Sequence, residues 1–177
     1  MRLVVTIDVE EDQWGMRKGR QSTTDNIRQI PALTAVFRDF NIVPTYLVTF
    51  PVVSDDGAVA ILRHAYDAGQ CEIGMHCHPW TTPPFEESIT RYNSMLCNLD
   101  PLLQRRKLHR LHEAIVTRLR TRPIAYRAGR WGYGRETAQI LQELGCRIDS
   151  SVTPYTSWVR SYGPDYSCLT PEPYRFA

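Results

Sequence analysis

Apolar and polar positions repeat along this chain with two periods. Near the start the period is two, with Leu3, Val5, Ile7 and Val9 on one side and Val4, Thr6, Asp8 and Glu10 on the other. The same alternation returns before Trp80, where Cys71, Ile73, Met75 and Cys77 oppose Glu72, Gly74, His76 and His78. Shorter β-like runs cover Val43 to Phe50, stopped by Pro51, then Ile124 to Ala128, and Cys146 to Val152. Between these runs the spacing changes to three and four. One helix begins near Pro31, with Leu33, Val36, Phe37 and Phe40 on its face. Another opens at Asp55-Asp56-Gly57, carries Val59, Leu62 and Tyr66, and stops at Gly69. Pro101 to Arg120 is the clearest helix, with Leu108, Leu111, Ile115 and Leu119 in register. Thr137, Leu141 and Leu144 mark a last one ended by Gly145, and the stretch from Ser88 to Asn98 is weakly helical.

Strand and helix thus alternate, which predicts a single α/β domain over residues 1–177 with parallel strands and crossover helices. The loop Gln13 to Thr24, with Gly15, Gly19 and Arg17-Lys18-Arg20, is long enough to be functional, and a second loop, Thr81 to Ser88 with Pro83-Pro84, stands at the mouth of the site proposed below. The second follows the histidine strand directly. After Pro154 the periodicity fails. The aromatics Tyr155, Trp158, Tyr162, Tyr166, Tyr174 and Phe176 call for burial, so this tail is expected to lie as irregular chain across the substrate side or an open sheet edge.

Composition narrows the function classes. The content of 42% hydrophobic and 23% charged residues is ordinary for a soluble globular protein, and a net charge of +2 implies no obligatory polyanion partner. Residues 105–122 hold seven Lys/Arg against Glu113 alone, without interleaved aromatics, and read as a solvated helix face and not as a nucleic-acid surface. No apolar stretch approaches a membrane span, and the chain enters a strand within two residues, so no signal peptide is expected. Five cysteines, odd in number and lacking CxxC spacing, are expected to be reduced thiols in the cytoplasm.

The chemistry gathers at two strand ends. In parallel sheets, functional groups collect at the carboxyl ends of strands. Asp8 to Asp12 holds four acids in five residues, with Asp8 and Glu10 on the same side of the first strand. His76 and His78 share a side of the other, and Pro79, with no N–H to donate, ends its ladder. Two imidazoles with one or two carboxylates, and positions left for water, form an open site for a divalent ion, usually zinc. The plainer alternative is a hydrogen-bonded core histidine beside a solvated acidic loop.

In their order these strand ends resemble the polysaccharide deacetylase family, carbohydrate esterase family four, with its irregular (β/α) barrel. Thr6-Ile7-Asp8-Val9-Glu10 resembles the first motif, and Glu72-Ile73-Gly74-Met75-His76-Cys77-His78 the metal-binding second. Tyr126-Arg127-Ala128-Gly129-Arg130-Trp131 resembles the third, and Asp149-Ser150-Ser151 the strand after it. The resemblance implies a metal-dependent hydrolase that removes N-acetyl groups from a carbohydrate. It implies Asp8 as general base, oriented by Arg127, and Glu10, His76 and His78 as ligands of a divalent metal ion such as Zn2+. It further implies Trp131, Trp80 and Arg130 as substrate-binding residues.

Two departures stand out. The family's motif histidines are four apart, whereas here they are two apart with Trp80 at the next position of that spacing. The family's catalytic acid histidine near the C-terminus has no counterpart after His112. The alternative expectation is therefore a chain incomplete at its C-terminus, or a non-catalytic carbohydrate-binding or assembly protein on the same scaffold. A metal phosphoesterase would want more His and Asp ligands.

Overall fold

The computed structural model describes residues 3–12, 23–173 and 175. The basic cluster Arg17-Lys18-Arg20 and the aromatics Tyr174 and Phe176 lie outside the described residues. Five parallel strands form one sheet in chain order: β1 (Thr6–Val9), β2 (Thr45–Val48), β3 (Glu72–Cys77), β4 (Ala125–Ala128) and β5 (Ile148–Asp149). Helices cross between them: α1 (Ile30–Asp39) before β2, then α2 (Phe50–Ser54) and α3 (Asp56–Asp67) before β3. α4 (Pro101–Leu119) precedes β4, and α5 (Arg135–Glu143) precedes β5. Every step moves one place in the same direction, leaving β1 and β5 as the edges. Among the described residues the expected barrel is thus an open five-stranded sheet.

The two faces of the sheet are chemically distinct. Tyr46, Val48, Ile73, Met75, Cys77, Tyr126 and Ala128 join Leu62, Leu108, Leu111, Ile115 and Ile140 in one buried core beneath the helices. Alternation turns Thr6, Asp8, Leu47, Gly74, His76, Ala125 and Arg127 to the other face. That face is closely filled at its floor. A Cβ on Gly74 would stand 2.8 Å from the Ala125 carbonyl oxygen and run into the Leu47 side chain.

Local signals explain most helix ends. The Asp55 carboxylate accepts the Ala58 N–H at 2.7 Å to start α3, and Asp100 accepts the Leu102 N–H at 2.9 Å to start α4. Gly69 and Gly145 close α3 and α5 with φ of +67° and +86°.

Other expectations change. The run from Val43 to Phe50 pairs only over Thr45–Val48. Phe50 and Pro51 open α2, because a proline that ends a ladder also suits a first helical turn. α1 buries Ile30 and Thr34 and leaves Val36 and Phe40 exposed; the Thr34 hydroxyl meets the Tyr46 hydroxyl at 2.8 Å and seats the helix. The stretch from Ser88 is turns closed by a 3₁₀ turn at Leu96–Asn98. The last predicted strand shrinks to Ile148–Asp149, which pairs on one side only.

The tail is irregular, as its lack of periodicity predicts, and packs beside the sheet's carboxyl end. The buried Tyr166 donates its hydroxyl to the Trp131 carbonyl at 2.7 Å, and the Asn98 amide donates to the Tyr162 carbonyl at 2.7 Å. Tyr155 and Tyr162 are exposed instead of buried, because both sit at turn corners with positive φ.

Candidate functional site

The strand ends bring Glu10, His76 and His78 together, with one ligand-capable atom from each within 4.8 Å of the others. Both imidazoles present Nε2 to the same carboxylate: His76 at 3.5 Å from Glu10 Oε1 and His78 at 3.6 Å from Oε2. Each ring is anchored through its other nitrogen. His76 Nδ1 lies 2.9 Å from the Arg127 carbonyl oxygen, and His78 Nδ1 lies 3.4 Å from Glu11 Oε1. A ring that donates from Nδ1 keeps its Nε2 lone pair free for an ion.

Asp8 stands beside this cluster, its Oδ1 4.0 Å from His76 Nδ1. Arg127 donates to Asp8 Oδ1 at 2.7 Å and to the Thr6 hydroxyl at 2.5 Å. β4 and β1 are three places apart, about 14 Å across a flat sheet. The short contact therefore requires the long arginine side chain and a strongly curled sheet. Arg127 Nε also donates to the Ser150 carbonyl at 3.3 Å, while the Ser151 hydroxyl accepts the Ala128 N–H at 2.8 Å. The Asp149-Ser150-Ser151 segment thus braces the arginine from the far side.

Aromatics flank both halves. Trp80 stacks on His78 at 4.4 Å between centroids and 13° between planes, and the Trp131 ring lies 5.6 Å from the Arg127 guanidinium. Arg130 donates to the Ser94 hydroxyl at 2.8 Å. Arg130 and Trp131 both take positive φ, 53° and 63°, a backbone strain that folds the chain sharply back after β4. Trp80 and Trp131 thus each line part of the site, while Arg130 reaches sideways to the neighbouring turn.

Burial and charge compete here. Burial would raise Glu10, but the His76 hydrogen bond and the charge of both imidazoles outweigh it and hold the carboxyl below its usual range. Glu11 follows the same pattern, with His78 and the Thr49 hydroxyl lowering what burial raises. Among the described residues no cysteine joins the group formed by Glu10, His76 and His78. Burial pushes Cys71 up to about 12 and Cys77, Cys97 and Cys146 up to about 11.

Three residues that support the site are not among its sequence-predicted members. Glu11 is buried because β1 ends at Val9, so strand alternation no longer decides its direction. Gly129 leaves room for His78: a Cβ there would stand 2.6 Å from the Cys77 carbonyl oxygen and closer still to the imidazole. Lys107 corrects the reading of α4 as a solvated basic face. It is fully buried, donates to the carbonyls of Pro79, Thr82 and Pro84 at 2.9, 2.7 and 2.7 Å, and pairs with Glu87 at 2.9 Å. Its position on the apolar stripe between Leu103 and Leu111 is the signal in the sequence. Its neighbours Arg105 and Arg106 are half-exposed and pair with Glu143 and Glu86.

No protein-family model matches the sequence, and no curated protein matches it significantly. Solved structures do share its shape. A candidate polysaccharide deacetylase from Mycobacterium smegmatis superposes with a TM-score of 0.60 at 23% identity, over 84% of this chain and 50% of that one. The BpsB deacetylase domain from Bordetella bronchiseptica gives 0.60 at 14% identity, over 85% and 64%. BA3943 of Bacillus anthracis, a CE4 family pseudoenzyme, gives 0.53 at 14%, over 82% and 41%. The chain spans about half the length of these structures. Its parallel sheet and crossover helices have the fold of the polysaccharide deacetylases of carbohydrate esterase family four.

Proposed function

We propose that this chain is a divergent polysaccharide deacetylase, a metal-dependent hydrolase acting on an N-acetylated carbohydrate. The observation that carries the reading is the convergence of Glu10, His76 and His78, with both Nε2 atoms turned to one carboxylate. The residues fit a divalent ion by donor chemistry and by charge. Three carboxylates, those of Asp8, Glu10 and Glu11, border the two imidazoles, and among the described residues Arg127 pairs with Asp8 alone, so a divalent cation offsets the acid excess left on Glu10 and Glu11.

In this reading Glu10, His76 and His78 hold the ion, with zinc the first expectation. The bound ion supplies Lewis acidity, polarising the acetyl carbonyl and lowering the pKa of water. Asp8 accepts the proton of the attacking water at its carboxylate. Arg127 aims Asp8 through the 2.7 Å bond. Trp131 and Trp80 offer apolar ring faces to the sugar.

A second reading keeps the scaffold and drops the turnover. His64, His109 and His112 lie on α3 and α4, beneath the other face of the sheet, so the cluster holds no third imidazole to protonate a leaving amine. A shared fold with a pseudoenzyme suits that alternative.

Metal analysis and acetate release from chitooligosaccharides separate the two. The expected result is about one divalent ion per chain, lost in the His76→Ala/His78→Ala variant. Asp8→Asn should retain the ion and lose activity by about a hundredfold or more. Ion and oligosaccharide binding without acetate release would favour the non-catalytic reading. Full metal content in the double variant would overturn the site.

A further inference from the structure

Both imidazoles turn Nε2 toward Glu10, but their other nitrogens are held by different means. The acceptor for His76 is a backbone carbonyl, that of Arg127, which any residue at that position would provide. The acceptor for His78 is the side chain of Glu11. That side chain is fully buried, and its second oxygen accepts the hydroxyl of Thr49, also fully buried, at 2.9 Å. Desolvating a carboxylate is costly unless its partners compensate, so a glutamate in this position calls for a reason beyond packing.

Packing alone fixes the plane of the His78 ring but not its orientation within that plane. Trp80 covers one face at 4.4 Å, His76 meets the ring at 4.7 Å in a T-shaped contact, and the missing Cβ of Gly129 leaves a slot for Cδ2. A half-turn of the ring about Cβ–Cγ preserves that plane. It exchanges Nδ1 with Cδ2, and Nε2 with Cε1. In the turned ring a carbon would face Glu10, and nothing would be left there to coordinate an ion. Only the hydrogen-bond partners distinguish the two orientations, and they also choose which nitrogen carries the proton.

We propose that Glu11 is a positioning residue of the metal centre: its carboxylate holds His78 with the proton on Nδ1, so that the Nε2 lone pair faces Glu10. This rests on the metal-centre reading above. Thr49 holds Glu11 in turn, so the ordering runs from Thr49 through Glu11 to His78.

The test has one arm that needs no ion. Side-chain 15N NMR of the metal-free protein, above the pH of imidazole titration, should show His78 protonated on Nδ1; protonation on Nε2 overturns the proposal. In the second arm, Zn2+ is titrated in competition with a chromophoric chelator. Glu11→Gln, whose amide can donate to the ring, should move the His78 proton to Nε2 and weaken Zn2+ binding by about 10- to 100-fold. Thr49→Val should weaken it less, in the same direction. Thermal melting of the metal-free variants shows whether each is folded, and Thr49→Val with the wild-type tautomer decides the matter if Glu11→Gln is not. Wild-type Zn2+ affinity and tautomer in folded Glu11→Gln would overturn the role of Glu11 while leaving the centre intact. Unchanged Zn2+ binding in His76→Ala/His78→Ala would instead remove the centre, and the tautomer measurement would still judge Glu11.

Discussion

Gly129 shows how much a single position can control here. It follows β4 directly, and the space where its Cβ would stand is occupied by the His78 imidazole and the Cys77 carbonyl. Gly129→Ala must therefore displace the His78 ring or the backbone of β3. Overpacking of this kind typically costs about 1–3 kcal/mol. Denaturant unfolding should register that loss, and Zn2+ affinity should fall with it because the ring moves off the slot. Unchanged affinity in the folded variant would mean that His78 is not held there. Among single residues, Asp8, Glu10, His76 and His78 were legible as a cluster, since period-two alternation sends them to one side of two strands. Glu11 was not, because its direction is set after the strand has ended.

At the scale of elements, α4 combines two surfaces that its composition does not separate. Arg105, Arg106 and Arg118 reach outward to Glu143, Glu86 and Asp56. Lys107 points inward and ties down the loop that follows His78 through three carbonyls and Glu87. Breaking a buried pair by removing one partner commonly costs about 3–5 kcal/mol, since the other charge is left desolvated. Lys107→Met should show a loss of that order in urea unfolding, and Lys107→Met/Glu87→Gln a smaller one. If the double variant is as unstable as the sum of the singles, the two residues are not coupled. The strands and helices themselves were largely readable, because each is defined by local period and by caps such as Asp55, Asp100, Gly69 and Gly145. Their ends shifted where one residue serves two elements, as Pro51 does between β2 and α2.

At the scale of the whole molecule, Asp149 links stability to pH. Burial pushes its carboxyl up to about 6, against the opposing effects of the Ser151 hydroxyl and N–H and of Arg127. In the unfolded chain an aspartate titrates near about 3.9. A raised acid binds its proton more tightly when folded, so its stabilising contribution is complete below about pH 4 and is lost as pH rises through about 6. The difference amounts to at most about 3 kcal/mol. Glu10 and Glu11, which are lowered, act in the opposite sense and lose their contribution as pH falls below the ordinary carboxylate range. Asp149→Asn should therefore gain stability relative to the unsubstituted protein between pH 4.5 and 7, measured as unfolding free energy in urea. A gap that does not widen over that interval would show that Asp149 ionises freely in the folded chain.

Sequence by itself determined the alternation of strand and helix, the parallel character of the sheet, and the side of each strand on which Asp8, Glu10, His76 and His78 stand. All of these follow from local periodicity, which needs no knowledge of distant neighbours. The pairing of Asp8 with Arg127 was implied by the resemblance to the deacetylase motifs and not by periodicity. Tertiary structure alone decided that the sheet curls enough for Arg127 to meet Asp8 across β2 and β3. It alone turned Glu11 and Lys107 inward, and left Tyr155 and Tyr162 outside. These outcomes depend on which groups can desolvate one another, and a buried charge is tolerated only where partners far away in sequence converge on it: Thr49 and His78 for Glu11, and the carbonyls of residues 79–84 with Glu87 for Lys107.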